Sequence, residues 1–178
     1  MKELLNLSRN TLVKHLQEEK VKPSEEVIKK YSSRQACFVT LTKKGELRGC
    51  VGSLYARQEL WKDVVENSIN AGFRDTRFSP LRKGELPNIK IEISVLTVPQ
   101  RLEFISGEDL LNKLRPMVDG VVLKQGMRQS TYLPQVWANF GSKEEFLPSL
   151  CQKGGMPLDC WKDTSTEVFV YQAFVFEE

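Results

Sequence analysis

CFVTLTKKGELRGCVG, residues 37–52, reads as a hairpin with an unusual second arm. CFVTLT is rich in β-branched and aromatic residues, KKGE supplies a glycine-containing turn, and LRGCVG returns as a second strand. The returning strand places Cys50 between Gly49 and Gly52, two residues from Arg48. Glycine admits positive φ and close backbone approach, so a strand that bends into a helix has a packing reason to carry it. Bare N–H groups near a helix N-terminus also form a ready anion pocket, and the two readings are compatible.

Outward from the hairpin the elements alternate in kind. On the C-terminal side comes an amphipathic helix with Leu60, Val64 and Ser68 on one track and Trp61, Val65, Ile69 and Phe73 on another. This reading leaves Lys62, Asp63, Glu66 and Asn67 outside. The loop RDTRFSPLRKGELP follows, in which Ser79-Pro80 is expected to open a single helical turn that Gly84 closes. NIKIEISVLTV then alternates, with Ile89, Ile91, Ile93 and Val95 on one face and Lys90, Glu92 and Ser94 on the other, as a half-buried strand does. On the N-terminal side, Leu5, Leu12 and Leu16 stripe a first helix, with His15 beside the stripe, and Ser24 caps a short second one. In the second half Ser106 caps GEDLLNKL, VDGVVLKQG reads as a strand and GMRQS as a turn. Ser142 with Glu145 forms a capping box, and TEVFVYQAFVFEE reads as one well-covered strand, apolar on both faces. No repeat and no βαβ rhythm occurs, which favours an α+β fold.

The chain has 178 residues, enough for one generous domain or two small lobes, with 40% apolar and 28% charged residues. A net charge of +3 falls short of the dense basic footprint of a dedicated nucleic-acid binder. No stretch approaches the roughly 20 apolar residues of a membrane span, and the N-terminus lacks the apolar core of a signal peptide. Cys37, Cys50, Cys151 and Cys160 include no CxxC pair, so the expectation is a cytoplasmic protein with reduced thiols and no metal site. Nothing in the sequence calls for a cofactor; neither a P-loop nor GxGxxG is present.

Cys50 has two readings. Cysteine is commonly buried and inert, yet a thiol between glycines near a helix N-terminus and Arg48 has sources of thiolate stabilisation. Arg74, Asp75 and Arg77 share one loop after the helix; they are a fork for carboxylate or phosphate, or Asp75 is a clamp on neighbouring N–H groups. Glu92 is a solvated strand position or a general base.

The residues also carry a resemblance. LRGCVGS closely resembles the LRGCIG signature of the AMMECR1 domain, and FVTLTKKGELRGCVGS, AGFRDTRFSPL, IEISVLT, STYLPQVW and FLPSLCQKGG follow that family's order. Val51 stands where isoleucine is usual, and Thr76 where proline is frequent. The resemblance implies a single AMMECR1 domain over residues 1–178: an α+β unit of two lobes, mainly antiparallel sheet flanked by helices, with N- and C-terminal parts joined in the larger lobe. It places the LRGC segment near a groove between lobes and Memo-like and radical-SAM proteins among the partners. It also implies Cys50 and Glu92 as catalytic positions, and Arg48, Gly49, Gly52, Arg74, Asp75, Arg77 and Thr131 as ligand-binding ones. It names no reaction. The resulting expectation is a cysteine-dependent enzyme, or enzyme-system component, acting on an anionic small molecule or macromolecule. The competing expectation is a non-catalytic module that binds nucleic acid or protein.

Overall fold

Strand β1 (Cys37–Lys43) and strand β2 (Glu46–Gly52) pair antiparallel around Lys44-Gly45. Both turn residues have positive φ, 55° and 85°, the backbone that a two-residue hairpin turn needs to match strand twist. The register slips between Leu41 and Thr42, a bulge that bends the hairpin beside Arg48. All residues, 1–178, are described by the structure, a computed structural model.

The chain divides into two compact units, residues 1–98 with 174–178, and residues 99–173. The first unit carries helix α1 (Lys2–Leu16), helix α2 (Glu25–Lys30), the hairpin and helix α3 (Leu60–Ile69). A π-helical turn over Asn70–Arg74, a 3-10 turn over Lys83–Asn88 and strand β3 (Ile89–Leu96) follow. The helical turn expected at Ser79-Pro80 thus starts later, at Lys83, where the Glu85 carboxylate accepts from Arg82 N at 3.1 Å.

The second unit contains strand β4 (Gln100–Arg101), helix α4 (Gly107–Lys113), strand β5 (Gly120–Gln125), strand β6 (Arg128–Tyr132), helix α5 (Lys143–Lys153) and strand β7 (Glu167–Tyr171). Strand β8 (Ala173–Glu177) returns to the first unit. The two sheets run β2-β1-β3-β8 and β4-β7-β5-β6. The assigned pairs in both are antiparallel, so the fold is α+β with terminal segments joined in the larger unit.

Two of these elements correct the sequence reading. GMRQS is not a turn throughout: only Gly126-Met127 turns, and Arg128–Tyr132 is an edge strand whose polar residues tolerate an open side. TEVFVYQAFVFEE is not one covered strand. It breaks at Gln172 into β7, inside the second sheet, and β8, an edge strand of the first with Phe174 60% exposed.

Each unit has its own apolar core. In the first, Val39, Leu41, Ile91 and Ile93 from one face of the sheet are fully buried with Leu4, Leu12 and Val64 from α1 and α3. In the second, Phe146, Leu147 and Leu150 of α5 pack with Leu110, Val121, Leu123 and Trp137. Ser106 and Ser142 cap α4 and α5 as expected, accepting from Asp109 N at 3.1 Å and Glu145 N at 3.2 Å. No helix is long and apolar enough to cross a membrane.

Candidate functional site

The register of the first sheet determines which side chains meet on its second face. Thr40 lies directly opposite Cys50 on one side and Glu92 on the other. Directly paired residues share a face, so Cys50, Thr40 and Glu92 form a row across β2, β1 and β3, on the face opposite Val39 and Ile91. All three are half-buried. The Thr40 hydroxyl lies 3.3 Å from Cys50 Sγ, as donor to the sulfur. Glu92 stands two strands from Cys50, roughly 10 Å backbone to backbone, with the threonine between them. Its carboxylate accepts from Ser94 Oγ at 3.5 Å, and Ser94 is itself buried.

Gly49 and Gly52 are decided by packing. A Cβ on Gly49 would lie 2.1 Å from the Ala71 carbonyl oxygen, in the π-helical turn behind the strand. One on Gly52 would lie 2.2 Å from the Phe38 ring and 2.6 Å from Cys37 O. Neither glycine has positive φ. Gly49 lets the π-helical turn press against β2, which brings the 74–77 loop to Cys50, and Gly52 lets the Phe38 ring of β1 lie over the end of β2.

In that loop Asp75 is the clamp of the two readings offered above. Its side chain is only 6% exposed and accepts from Cys50 N at 2.9 Å, from Arg77 N at 3.2 Å, and from Arg77 Nε and Nη2 at 2.9 and 2.7 Å. The Arg77 guanidinium, then the Cys50 and Arg77 backbone N–H groups, hold the Asp75 carboxyl down at about 2 against the cost of burial. Arg77 Nη2 also donates to Cys50 O at 3.1 Å. Arg77 is held more firmly protonated by the Asp75 carboxylate. Its side chain remains 54% exposed.

Arg48 and Arg74 turn elsewhere. Arg48 forms a two-point pair with Glu85, Nε to Oε1 at 3.1 Å and Nη2 to Oε2 at 3.0 Å, and Nη2 also donates to Ser79 O at 2.9 Å. Its Nη1 is buried with no hydrogen-bond partner. Lys43 Nζ joins Glu85 at 2.9 Å, and the two cations, Arg48 first, hold the Glu85 carboxyl down at about 2. Arg74 reaches back to Asn70 Oδ1 at 3.4 Å and is exposed. Of the three arginines, Arg77 is the one that the geometry ties to Cys50. Thr131 belongs to the second unit, where its hydroxyl donates to Val121 O at 2.9 Å and contacts the Tyr171 hydroxyl at 2.8 Å. His15 packs its ring on Phe73, with centroids 4.3 Å apart.

Four residues here escape sequence reasoning. Thr40 and Glu85 matter only through register and through a contact 37 residues along the chain. The sequence pattern puts Asp63 and Asn67 on the outer face of α3, and the structure reverses both: they are 1% and 3% exposed. Asp63 accepts from Cys37 N at 2.9 Å, Ser53 Oγ at 2.9 Å, Gln58 Nε2 at 3.2 Å and Asn67 Nδ2 at 3.0 Å. The backbone where the hairpin meets α3 has donors that an apolar core cannot satisfy, so the helix turns two polar residues inward. Burial, and next the Asp63 charge, push the Cys37 thiol well above its ordinary value. Among the cysteines Cys37, Cys151 and Cys160 are buried and Cys50 is half-buried.

Comparison with known proteins places the whole chain in a lineage. A protein of Methanothermobacter thermautotrophicus is 37% identical over 177 residues, covering 98% of this chain and 92% of its own length. One of Aquifex aeolicus is 35% identical over 181 residues, covering 100% and 92%. The crystal structure of an uncharacterized protein from Pyrococcus horikoshii superposes with a TM-score of 0.93 at 31% identity, covering 98% of this chain and 89% of that one. The AMMECR1 family model matches residues 5–176, nearly the whole length, and the chain belongs to the AMMECR1 family.

Proposed function

We propose that Cys50 is the working thiol of a cysteine-dependent site acting on an anionic ligand. The observation that carries this reading is what gathers at Cys50: the Thr40 hydroxyl 3.3 Å from its half-buried sulfur, and Arg77 anchored to its backbone carbonyl at 3.1 Å. A hydroxyl donor and a nearby guanidinium both favour negative charge on sulfur, the form that reacts. Arg77, pinned by Asp75 yet half in solvent, offers an exposed guanidinium of the kind that suits a carboxylate or phosphate. Glu92, farther along the same row beyond Thr40, is the carboxylate that this reading assigns as proton acceptor. Gly49 and Gly52 support the site by shape, and Arg48 supports it by fixing the base of the hairpin to Glu85.

A second reading has its own support. Asp75 and Glu85 offset much of the positive charge of Arg77 and Arg48, which suits a site that holds a partner without attacking it. Limited alkylation separates the two. The protein is treated with limiting iodoacetamide from pH 5 to 9, and the rate at Cys50 is compared with that of a small thiol titrating near its ordinary value of about 8.5. The buried cysteines are unsuitable references, since burial alone slows them. The expected result is a Cys50 rate profile displaced at least one pH unit toward acid, moving back in Arg77→Gln. A profile coincident with the small thiol refutes the enzymatic reading and leaves the binding module.

A further inference from the structure

The second unit contains a cysteine pair that the site above does not use. Cys151 lies in the last turns of α5, and Cys160 opens a 3-10 turn over Cys160–Lys162. The chain between them doubles back: Met156 N donates to Cys151 O at 3.0 Å, and Gly155 takes the left-handed conformation with φ 65°. Cys160 is then anchored from the far side, where Thr166 Oγ1 donates to Cys160 O at 2.7 Å. The two sulfurs are 2.7 Å apart, about 0.7 Å more than a disulfide bond. Nine residues apart in sequence, each sulfur is the other's nearest neighbour of its kind.

We propose that Cys151 and Cys160 form a structural disulfide that ties the end of α5 to the turn preceding β7. The pair is 0% and 3% exposed, inside the second core beside Phe146, Met156 and Trp161. No group of three or more His, Cys, Asp or Glu residues is arranged so that it could hold a metal ion, so the pair has no further ligands gathered around it. Nor does it suit nucleophilic work. Burial, and then the neighbouring Cys151, push the Cys160 thiol up to about 12, which keeps it protonated and unreactive while reduced. Two thiols held together in a dry core have one chemistry open to them, oxidation to each other. A low-molecular-weight disulfide RSSR is the oxidant. The sulfur of one cysteine attacks RSSR, giving the mixed disulfide and releasing RSH. The second cysteine attacks that mixed disulfide and releases another RSH, so that two Cys–SH and RSSR become one Cys–S–S–Cys and two RSH. Because both sulfurs are buried in the folded state, this exchange runs during folding or local opening of the second unit.

The test refolds the full chain from denaturant in a glutathione redox buffer and, separately, in excess dithiothreitol. Each sample is then alkylated under denaturing conditions and peptide-mapped. The expected result is a cross-linked peptide joining Cys151 to Cys160, alkylation of Cys37 and Cys50, and a melting temperature about 5–10 °C above the reduced sample. Dithiothreitol abolishes the difference, and the Cys151→Ser, Cys160→Ser double variant does not show it. Four alkylated cysteines after oxidative refolding would overturn the proposal, as would a principal cross-link involving Cys37 or Cys50, or a correct cross-link without a thermal shift. The wild-type comparison is decisive by itself if the double variant does not fold. Since Cys50 is alkylated in every supporting outcome, the result is independent of the reading of Cys50.

Discussion

Gly49→Ala adds a single methyl and strikes the contact that assembles the candidate site. The new Cβ would sit 2.1 Å from Ala71 O, a backbone atom that cannot swing away as a side-chain tip can. Ordinary contact begins near 3.4 Å, so β2 and the π-helical turn must part by about 1.3 Å or distort. Overpacking of this kind costs about 1–3 kcal/mol. The same movement stretches the 2.9 Å bond from Cys50 N to the Asp75 carboxylate beyond hydrogen-bonding range, and a bond to a charged group contributes about 1.5–3 kcal/mol. The sum is a loss of about 3–5 kcal/mol, since the two effects share one displacement and overlap in part. Urea unfolding at pH 7 measures it as a lower midpoint. Gly84→Ala is the control: a Cβ there meets nothing within 4 Å, and φ is not positive, so the change stays within about 0.5 kcal/mol of wild type. Equal midpoints for the two variants would refute the claim that close approach, rather than chain flexibility, selects Gly49.

Two further substitutions test the polar framework. Asp75→Asn removes the charge that holds Arg77 and loses about 2 kcal/mol at neutral pH. Because the folded carboxyl titrates at about 2 against an ordinary 3.8, that advantage is complete above the unfolded value and disappears as pH falls through the folded one. Wild type and Asp75→Asn should therefore converge in urea midpoint between pH 4 and about 2, and a gap unchanged over that window would contradict the assignment. Asp63→Ala leaves the buried Cys37 N–H without its acceptor, removes one of the acceptors of the Asn67 amide, and should cost about 3 kcal/mol. A denaturation midpoint within error of wild type would show that water replaces the carboxylate.

Local signals carried the sequence reading well. The positive-φ turn at Lys44-Gly45, the alternation of β3 and the serine caps of α4 and α5 are written within a few residues, and each formed where expected. Features that depend on distant partners were not legible. Asp63 and Asn67 turn inward because the hairpin presents unpaired backbone there, a demand invisible in the helix itself. Glu85 looks like one acidic loop residue until Arg48 and Lys43 close on it. The apolar run at the C-terminus contains no turn signal, so its division at Gln172 between two sheets could only come from the pairing partners. For the candidate site, the motif pointed to Cys50 and the 74–77 loop, but the row through Thr40 to Glu92 is a property of strand register. Arg48, which the motif placed beside the thiol, is drawn to a carboxylate elsewhere.

The return of residues 174–178 to the first unit has a consequence for how the polypeptide matures. Strand β8 completes the first sheet beside β3, and Glu178 fastens it by donating its N–H to Ile91 O at 3.0 Å and pairing its carboxylate with Arg9. During synthesis the hairpin, α1 and α3 emerge early, yet the edge beside β3 stays open until the intervening 99–173 segment has been translated. That segment, contiguous and with its own apolar centre, can close first, while the earlier-made part waits with bare backbone for its last strand. The ribosome thus delivers the halves in an order opposite to the one in which they can finish.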